Sequence, residues 1–125
     1  MLKQIIFVGL GGGAGSIIRY LISVSTNKYF DFKFPIHTIT VNILGSLLIG
    51  LTLGYLQKTG NVESSLKYLI AIGFCGGFTT FSSFAFENIN LFNGNNTWTA
   101  LIYISLSLIL CLLAVVAGLQ LVKVI

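Results

Sequence analysis

The chain has 125 residues, of which 55% are hydrophobic and 8% are charged, and its formal net charge is +4. Because one bilayer crossing takes about 20 mostly apolar residues, four crossings occupy nearly the whole length and exclude an additional soluble domain. The mean hydropathy of +0.95 agrees with a membrane protein. The sequence therefore predicts an all-α membrane protein, a single domain of four transmembrane helices with both termini on one side, and the predicted spans are 2–24, 36–57, 66–90 and 98–123.

The first predicted span begins like a signal peptide, since Lys3 precedes an apolar run and small residues follow. The apolar pattern resumes after Arg19 and three further spans follow, so we expect no cleavage. Arg19 is the only charge well inside an apolar run. Two interpretations stay open: the side chain extends to the nearby membrane interface, or it supplies a positive potential that attracts anions to a vestibule.

Small residues recur every four positions in the first two spans, and such rows let helix backbones approach closely in lipid. The rows are Gly9 and Gly13, Gly11 and Gly15, and Gly12 and Ser16 in the first span, and Ser46, Gly50 and Gly54 in the second. We expect at least one row to pack within the chain, which leaves another for an oligomer interface.

Two polar stripes lie on helix faces at membrane depth. In the second span, Thr38 and Asn42 are one turn apart and share a face. The amide of Asn42 either bonds a neighbouring helix or offers its donors to a passing ion. In the fourth span, Tyr103, Ser107 and Cys111 follow at i, i+4 and i+8. Because a polar stripe facing lipid is unfavourable, we expect both stripes to face protein or water.

The third span contains a predicted break in its middle, where Gly76-Gly77 followed by Thr79-Thr80 makes helical geometry costly. Non-helical backbone at membrane depth is tolerated only where protein or a water-filled cavity covers it, and broken helices of this kind hold ion sites in membrane proteins. Four phenylalanines recur here at helical spacing, either as core packing or as ring edges along an anion path: Phe74, Phe78, Phe81 and Phe84.

The acidic residues lie away from the predicted membrane centre. Glu87 is near the end of the third span, and Asp31 and Glu63 are in predicted loops. A proton-coupled cation antiporter needs an embedded carboxylate, so this placement argues against that class. Cys75 and Cys111 both fall inside spans and are expected to be free thiols.

The positive charges give little preference for one orientation. Four lysines flank the terminal side and three cations the other: Lys3, Lys58, Lys67 and Lys123 against Arg19, Lys28 and Lys33. Under the positive-inside rule this balance leaves two possibilities. Either other cues orient the protein weakly, or copies insert both ways and pair antiparallel, which is dual topology.

Three segments together carry a family resemblance: Gly73 to Glu87 (GFCGGFTTFSSFAFE), Thr40 to Gly45 (TVNILG) and Gly11 to Tyr20 (GGGAGSIIRY). On these motifs the whole chain resembles the Fluc (CrcB) fluoride channels. The resemblance implies a four-span protein that forms an antiparallel, dual-topology homodimer with two fluoride pores. It also implies a central structural sodium ion, held by backbone carbonyls at the break in the third helix.

The resemblance further implies roles for individual residues. In the fluoride pore it places the asparagine Asn42, the aromatic pair Phe81 and Phe84 with the adjacent Ser82, and a polar track of Thr38, Tyr103, Ser107 and Cys111. Cys111 departs from the pattern, because a hydroxyl is usual there and a thiol is a weaker donor. Arg19 matches the vestibule arginine, and the carbonyls of Gly76 and Thr79 match the sodium ligands.

The expected function is therefore passive export of fluoride across the cytoplasmic membrane, driven by the membrane potential at about 2.3 kcal/mol per charge per 100 mV. A multidrug-type exporter and a non-conducting membrane scaffold remain as alternatives. We expect no enzyme, since the sequence offers no nucleophile–base set, and the glycine run beginning at Gly11 is not followed by the lysine of a phosphate loop. The expected partners are fluoride, the lipid bilayer and a second copy of the chain, with no nucleic acid.

Overall fold

The computed structural model describes residues 1–29 and 34–125, without the side chains of Asn27 and Tyr29. The predicted loop charges Asp31 and Lys33 therefore lie outside the described residues. All regular elements in the described part are helical: α1 (Leu2–Tyr29), α2 (Ile36–Lys58), a π-helical segment (Lys67–Phe74), α3 (Cys75–Phe78), α4 (Phe81–Asn93) and α5 (Thr97–Val124).

Four stretches are long and apolar enough to cross a membrane: Leu2–Thr26, Ile36–Lys58, Lys67–Asn93 and Thr97–Val124. This confirms the prediction of an all-helical chain with four candidate membrane spans. The third of them is composite, because it contains the π-helical segment, α3 and α4 in succession. No feature singled out in the sequence predicts the π-helical segment.

The break in the third span lies at two threonines between α3 and α4. Thr79 (φ −84°, ψ 159°) and Thr80 (φ −151°, ψ 119°) are both extended. The Thr80 hydroxyl then accepts a hydrogen bond from the Ser83 amide at 3.1 Å, which makes Thr80 the N-cap of α4. The predicted break is thus present, and a side-chain cap starts the helix that follows it.

Glycines bring helix backbones into contact at two places. A Cβ on Gly11 or Gly15 would overlap the carbonyl oxygens of Leu69 and Phe74, so α1 packs directly on the third span there. A Cβ on Gly50 would overlap the Val115 carbonyl, which brings α2 against α5. Each of the first two spans therefore uses a small-residue row within the chain, as expected for at least one.

The buried side chains lie mainly between α2, α4 and α5. The core cluster consists of Ile39, Phe84, Leu91, Ala100 and Tyr103. Many other large apolar side chains are exposed on the outer surface, including Phe81, Phe86 and Trp98. Such a surface suits a protein whose surroundings are lipid, because the bilayer interior imposes no penalty on exposed apolar groups.

Candidate functional site

An apolar cleft of about 420 Å³ opens beside the break, between α2, the third span and α5. It collects seven of the residues predicted for the pore and the sodium site: Asn42, Gly76, Thr79, Phe81, Phe84, Ser107 and Cys111. These residues come from three separate spans, so packing has brought the two predicted polar stripes to the same place as the break.

Asn42 is held against the backbone of the break by two hydrogen bonds. Its Oδ1 accepts from the Thr80 amide at 2.8 Å, and its Nδ2 donates to the Thr80 carbonyl at 3.1 Å. In a continuous helix the Thr80 amide would donate to the Gly76 carbonyl, four residues earlier. The side chain of Asn42 therefore replaces a helical bond and releases the Gly76 carbonyl.

A similar exchange releases a second carbonyl. The Ser83 amide, which would bond the Thr79 carbonyl in a continuous helix, donates instead to the Thr80 hydroxyl. The neighbouring Gly77 carbonyl behaves differently, since it accepts from Arg19 Nε at 3.0 Å and from Ser16 Oγ at 3.4 Å. The two carbonyls released at the break are thus the two that the family resemblance assigns to sodium.

The aromatic side chains form a chain of ring contacts from the surface inward. The ring centroids of Phe81 and Phe84 are 5.6 Å apart, and those of Phe84 and Tyr103 are 5.1 Å apart. Phe84 is buried, whereas Phe81 is 76% exposed. Phe81 therefore presents most of its ring at the open side of the cleft.

Thr38 and Tyr103 meet at the carboxylate of Glu87. The Thr38 hydroxyl donates to Oε1 at 2.6 Å, and the Tyr103 hydroxyl donates to Oε2 at 2.7 Å. His37 Nε2 lies 3.2 Å from the same Oε1. We call these four residues the Glu87 cluster. The side chain of Glu87 is only 18% exposed, and it connects α2, α4 and α5.

The Glu87 cluster is not predicted by the sequence patterns described above. Glu87 lies near the end of the span Lys67–Asn93, as expected, and its side chain is largely buried there. Two signals were available: Glu87 is three residues after Phe84 and so shares its helix face, and His37 directly precedes Thr38.

The remaining members of the polar track occupy different environments. Ser107 is buried, and among the described residues its Oγ has no hydrogen-bond partner, although it lines the cleft. Cys111 is half-buried and lines the same cleft as a free thiol. Ser82 is exposed outside that cleft, with its Oγ 3.2 Å from the Thr80 hydroxyl. The structure thus gathers the predicted pore residues around the break without arranging them in one row.

Arg19 lines a second cavity, of about 250 Å³, which shares Thr80 with the cleft. We call it the Arg19 cavity. Its lining is mostly polar: Ser16, Arg19, Tyr20, Ser23, His37, Thr38, Val41, Thr80 and Ser83. Thr80 also lines the cleft, and Thr38 also belongs to the Glu87 cluster, so these two residues connect the three groups. Arg19 therefore points toward the break and its cavity.

The sequence matches one protein family over most of its length. The family described as "CrcB-like protein, Camphor Resistance (CrcB)" matches residues 6–119. A fluoride-specific ion channel FluC of Flavobacterium psychrophilum is 48% identical over 122 residues, covering 98% of both chains. A protein of that name from Bacteroides fragilis is 41% identical and covers 94% of both chains. Another, from Hahella chejuensis, is 40% identical and covers 98% of this chain and 96% of its own. The chain described above therefore belongs to the CrcB family.

Proposed function

We propose that this protein is a passive, fluoride-selective ion channel that exports fluoride across the cytoplasmic membrane and so relieves fluoride toxicity. Relatives that cover nearly the whole chain are named fluoride-specific ion channels, and ion channels are not enzymes. The observation that carries the proposal is the convergence of Asn42, Ser107, Phe81 and Phe84 on one cleft at the break.

The residues of the cleft offer what a dehydrating fluoride ion needs. Fluoride is small and strongly hydrated, so each lost water has to be replaced by a donor or by a positive ring edge. The orphaned Ser107 hydroxyl is one donor. Asn42 uses one N–H at Thr80 and retains a second, because an amide nitrogen carries two. Phe81 and Phe84 provide the ring edges.

The approach to these groups runs through the Arg19 cavity. The guanidinium uses Nε at the Gly77 carbonyl and retains the donors of its two terminal nitrogens. Its charge concentrates anions at the mouth, since a charged cleft with low-dielectric walls focuses the field. Thr80 separates this cavity from the cleft, so an anion passes along the Thr38 and Thr80 side of the break. Ser82 and Cys111 complete the proposed pore lining.

The functional unit in this proposal is an antiparallel homodimer of dual topology with two pores. Support comes from the open surface at the break: Phe81 is 76% exposed, and the space around the Gly76 Cβ position is empty within 4 Å. The bilayer cannot satisfy the released polar backbone there. A second copy of the chain would cover this surface and enclose each cleft.

A central sodium ion fits the released carbonyls. Among the described residues no group of three His, Cys, Asp or Glu side chains lies close enough to hold a metal. The carbonyls of Gly76 and Thr79 are hard oxygen donors freed from helical bonds by Asn42 and Thr80. Carbonyl oxygens replace the water of a monovalent cation. Gly76 and Thr79 from both copies would hold the ion and hold the two breaks together.

A second candidate function, proton-coupled transport, has one observation in its favour, the sequestered carboxylate of Glu87. Intramembrane carboxylates mark proton relays in pumps and transporters. Both oxygens of Glu87 nevertheless accept hydrogen bonds, from Thr38 and Tyr103. The channel is favoured because the relatives are named channels.

The deciding experiment measures fluoride efflux from liposomes that contain purified protein, with valinomycin and a potassium gradient setting the voltage. A channel gives rapid fluoride movement whose direction reverses when the imposed potential is reversed. Chloride efflux stays at the level of protein-free vesicles. Efflux that instead follows a pH gradient at zero voltage identifies proton coupling. Efflux no faster than from protein-free vesicles rejects both candidates and leaves a non-conducting scaffold.

A further inference from the structure

The Arg19 cavity is lined by one imidazole as well as by the guanidinium of Arg19. His37 lines this cavity, is partly exposed, and has its Nε2 3.2 Å from Glu87 Oε1. It is also the only histidine in the sequence. Imidazole is the side chain that ordinarily gains or loses its charge between pH 5 and 8.

We propose that His37 is a proton-controlled element of the anion path, which raises fluoride flux when it is protonated. This inference rests on the channel function proposed above. With His37 neutral, the Glu87 carboxylate carries an uncompensated negative charge beside the hydroxyls of Thr38 and Tyr103. That charge repels an anion leaving the Arg19 cavity. With His37 protonated, the pair is neutral and the positive potential of Arg19 dominates.

The charge of the His37–Glu87 pair has to be considered together with the titratable and charged groups around it. His37 belongs to α2, and the titratable or charged groups facing it come from three other helices: Arg19 and Tyr20 of α1 in the same cavity, Glu87 of α4, and Tyr103 of α5 through Glu87. Arginine is a permanent cation, and tyrosine is ordinarily neutral around pH 7. The proposal therefore assigns the change of charge between pH 5.5 and 8 to the imidazole, the side chain that ordinarily changes its charge in this range.

The Glu87 cluster also explains how protonation of His37 affects the polar track at Thr38. Glu87 Oε1 is shared by His37 and Thr38, and Oε2 is bonded by Tyr103. A positive imidazole 3.2 Å from Oε1 competes with the Thr38 hydroxyl for that oxygen, because charge-assisted hydrogen bonds are the stronger ones. The Thr38 donor then becomes available to an anion. The same protonation event thus lowers repulsion and adds a donor.

The test measures fluoride efflux at a series of pH values from 8.0 to 5.5, equal on both sides of the liposome, at one fixed voltage. We expect the native protein to pass at least fivefold more fluoride at pH 5.5 after subtraction of the hydrogen fluoride leak of protein-free vesicles. His37→Gln removes the titration and lowers the ratio to about one, at the slow rate. His37→Lys keeps the positive charge and also gives a ratio of about one, at the fast rate.

The single imidazole provides an independent readout. Its titration followed by NMR in the native protein should have the same midpoint as the flux. A native ratio near one, a ratio that persists in His37→Gln, or midpoints more than one pH unit apart would overturn the role of His37 while leaving the channel intact. No fluoride flux at either pH would reject the channel itself. If either variant fails to assemble, the other variant and the NMR midpoint decide.

Discussion

The side-chain amide of Asn42 on α2 exchanges two hydrogen bonds with the backbone of Thr80, 38 residues later in the chain. This contact takes the place of a helical bond at the break. It ties the second span to the third, frees the Gly76 carbonyl, and places the amide at the wall of the cleft. One side chain therefore has a structural role and a proposed ion-binding role, and substitutions have to separate the two.

Replacing Asn42 by aspartate removes donors while keeping an acceptor for the Thr80 amide. The carboxylate faces the Thr80 carbonyl without a hydrogen to share, and it adds a negative charge to a proposed anion path. We expect fluoride efflux to fall at least tenfold, about 1.4 kcal/mol in barrier, while gel filtration still shows the assembled protein. Asn90→Asp makes the same chemical change at an exposed position of α4 and should retain near-native efflux. Equal losses in both variants would contradict a specific role for Asn42.

Phe81→Ile removes a ring edge from the open side of the cleft and leaves an apolar side chain of similar reach. Because Phe81 is 76% exposed, the chain's own core is hardly affected. We expect efflux to fall at least tenfold with the melting temperature of the protein nearly unchanged. Phe86→Ile, on the same helix, at a position that is 67% exposed and does not line the cleft, is the matched control. Native efflux in Phe81→Ile would show that the ring takes no part in conduction.

Cys111 makes the cleft accessible to chemical modification. Both cysteines line the cleft, but the Cys111 thiol is half-buried whereas Cys75 is only 3% exposed. A small thiol-reactive reagent should therefore block at least half of the fluoride efflux of the native protein. Cys111→Ser should conduct and resist the reagent, because it replaces the thiol with a hydroxyl of better donor strength. If Cys111→Ser remains sensitive and Cys75→Ser does not, the reactive position has been misassigned.

Gly11 and Gly13 are two positions apart in α1, but Gly11 is tightly packed and Gly13 faces open space. A Cβ on Gly11 meets the Leu69 carbonyl on the third span, whereas a Cβ on Gly13 meets nothing within 4 Å. Gly11→Ala should destabilise the protein by about 1–3 kcal/mol, the usual cost of overpacking. Gly13→Ala should be neutral or slightly stabilising for the chain, since alanine is the better helix former. Thermal unfolding in detergent measures both, and equal melting temperatures would refute the packing of α1 on the third span.

Glu63, in the loop before the third span, gives a pH-dependent contribution to stability. Hydrogen bonds from Lys67 and from Tyr68 hold the pKa of Glu63 below its ordinary value. A lowered carboxyl pKa stabilises the fold above the ordinary pKa, and this contribution disappears as the pH falls through the folded-state pKa. The native protein should therefore melt slightly higher than Glu63→Gln at pH 7, and the difference should shrink as the pH is lowered toward 3. If the difference in melting temperature instead grew on acidification, the Glu63 carboxylate would not stabilise the fold in its charged form.

The sequence predicted the break and most residues around it for local reasons. Paired glycines and paired threonines disfavour helix wherever they occur together, so their position alone indicates residues 76–80. The polar stripes of α2 and α5 followed from helical periodicity. Periodicity shows which residues share a helix face, but not which other helix packs against that face. The cluster around Glu87 could not be predicted, because it depends on Thr38 and Tyr103 from other helices.

By itself, the sequence determined the class of this protein: four apolar spans, a broken third helix, and polar stripes that lipid cannot accommodate. Those features follow from composition and from interactions within about one helical turn. Only the tertiary structure decided that Asn42 replaces a backbone bond of Thr80, that Gly11 touches the third span while Gly13 does not, and that His37 reaches Glu87. The physical reason is that these contacts join residues far apart in the chain, and helix packing selects which polar groups meet.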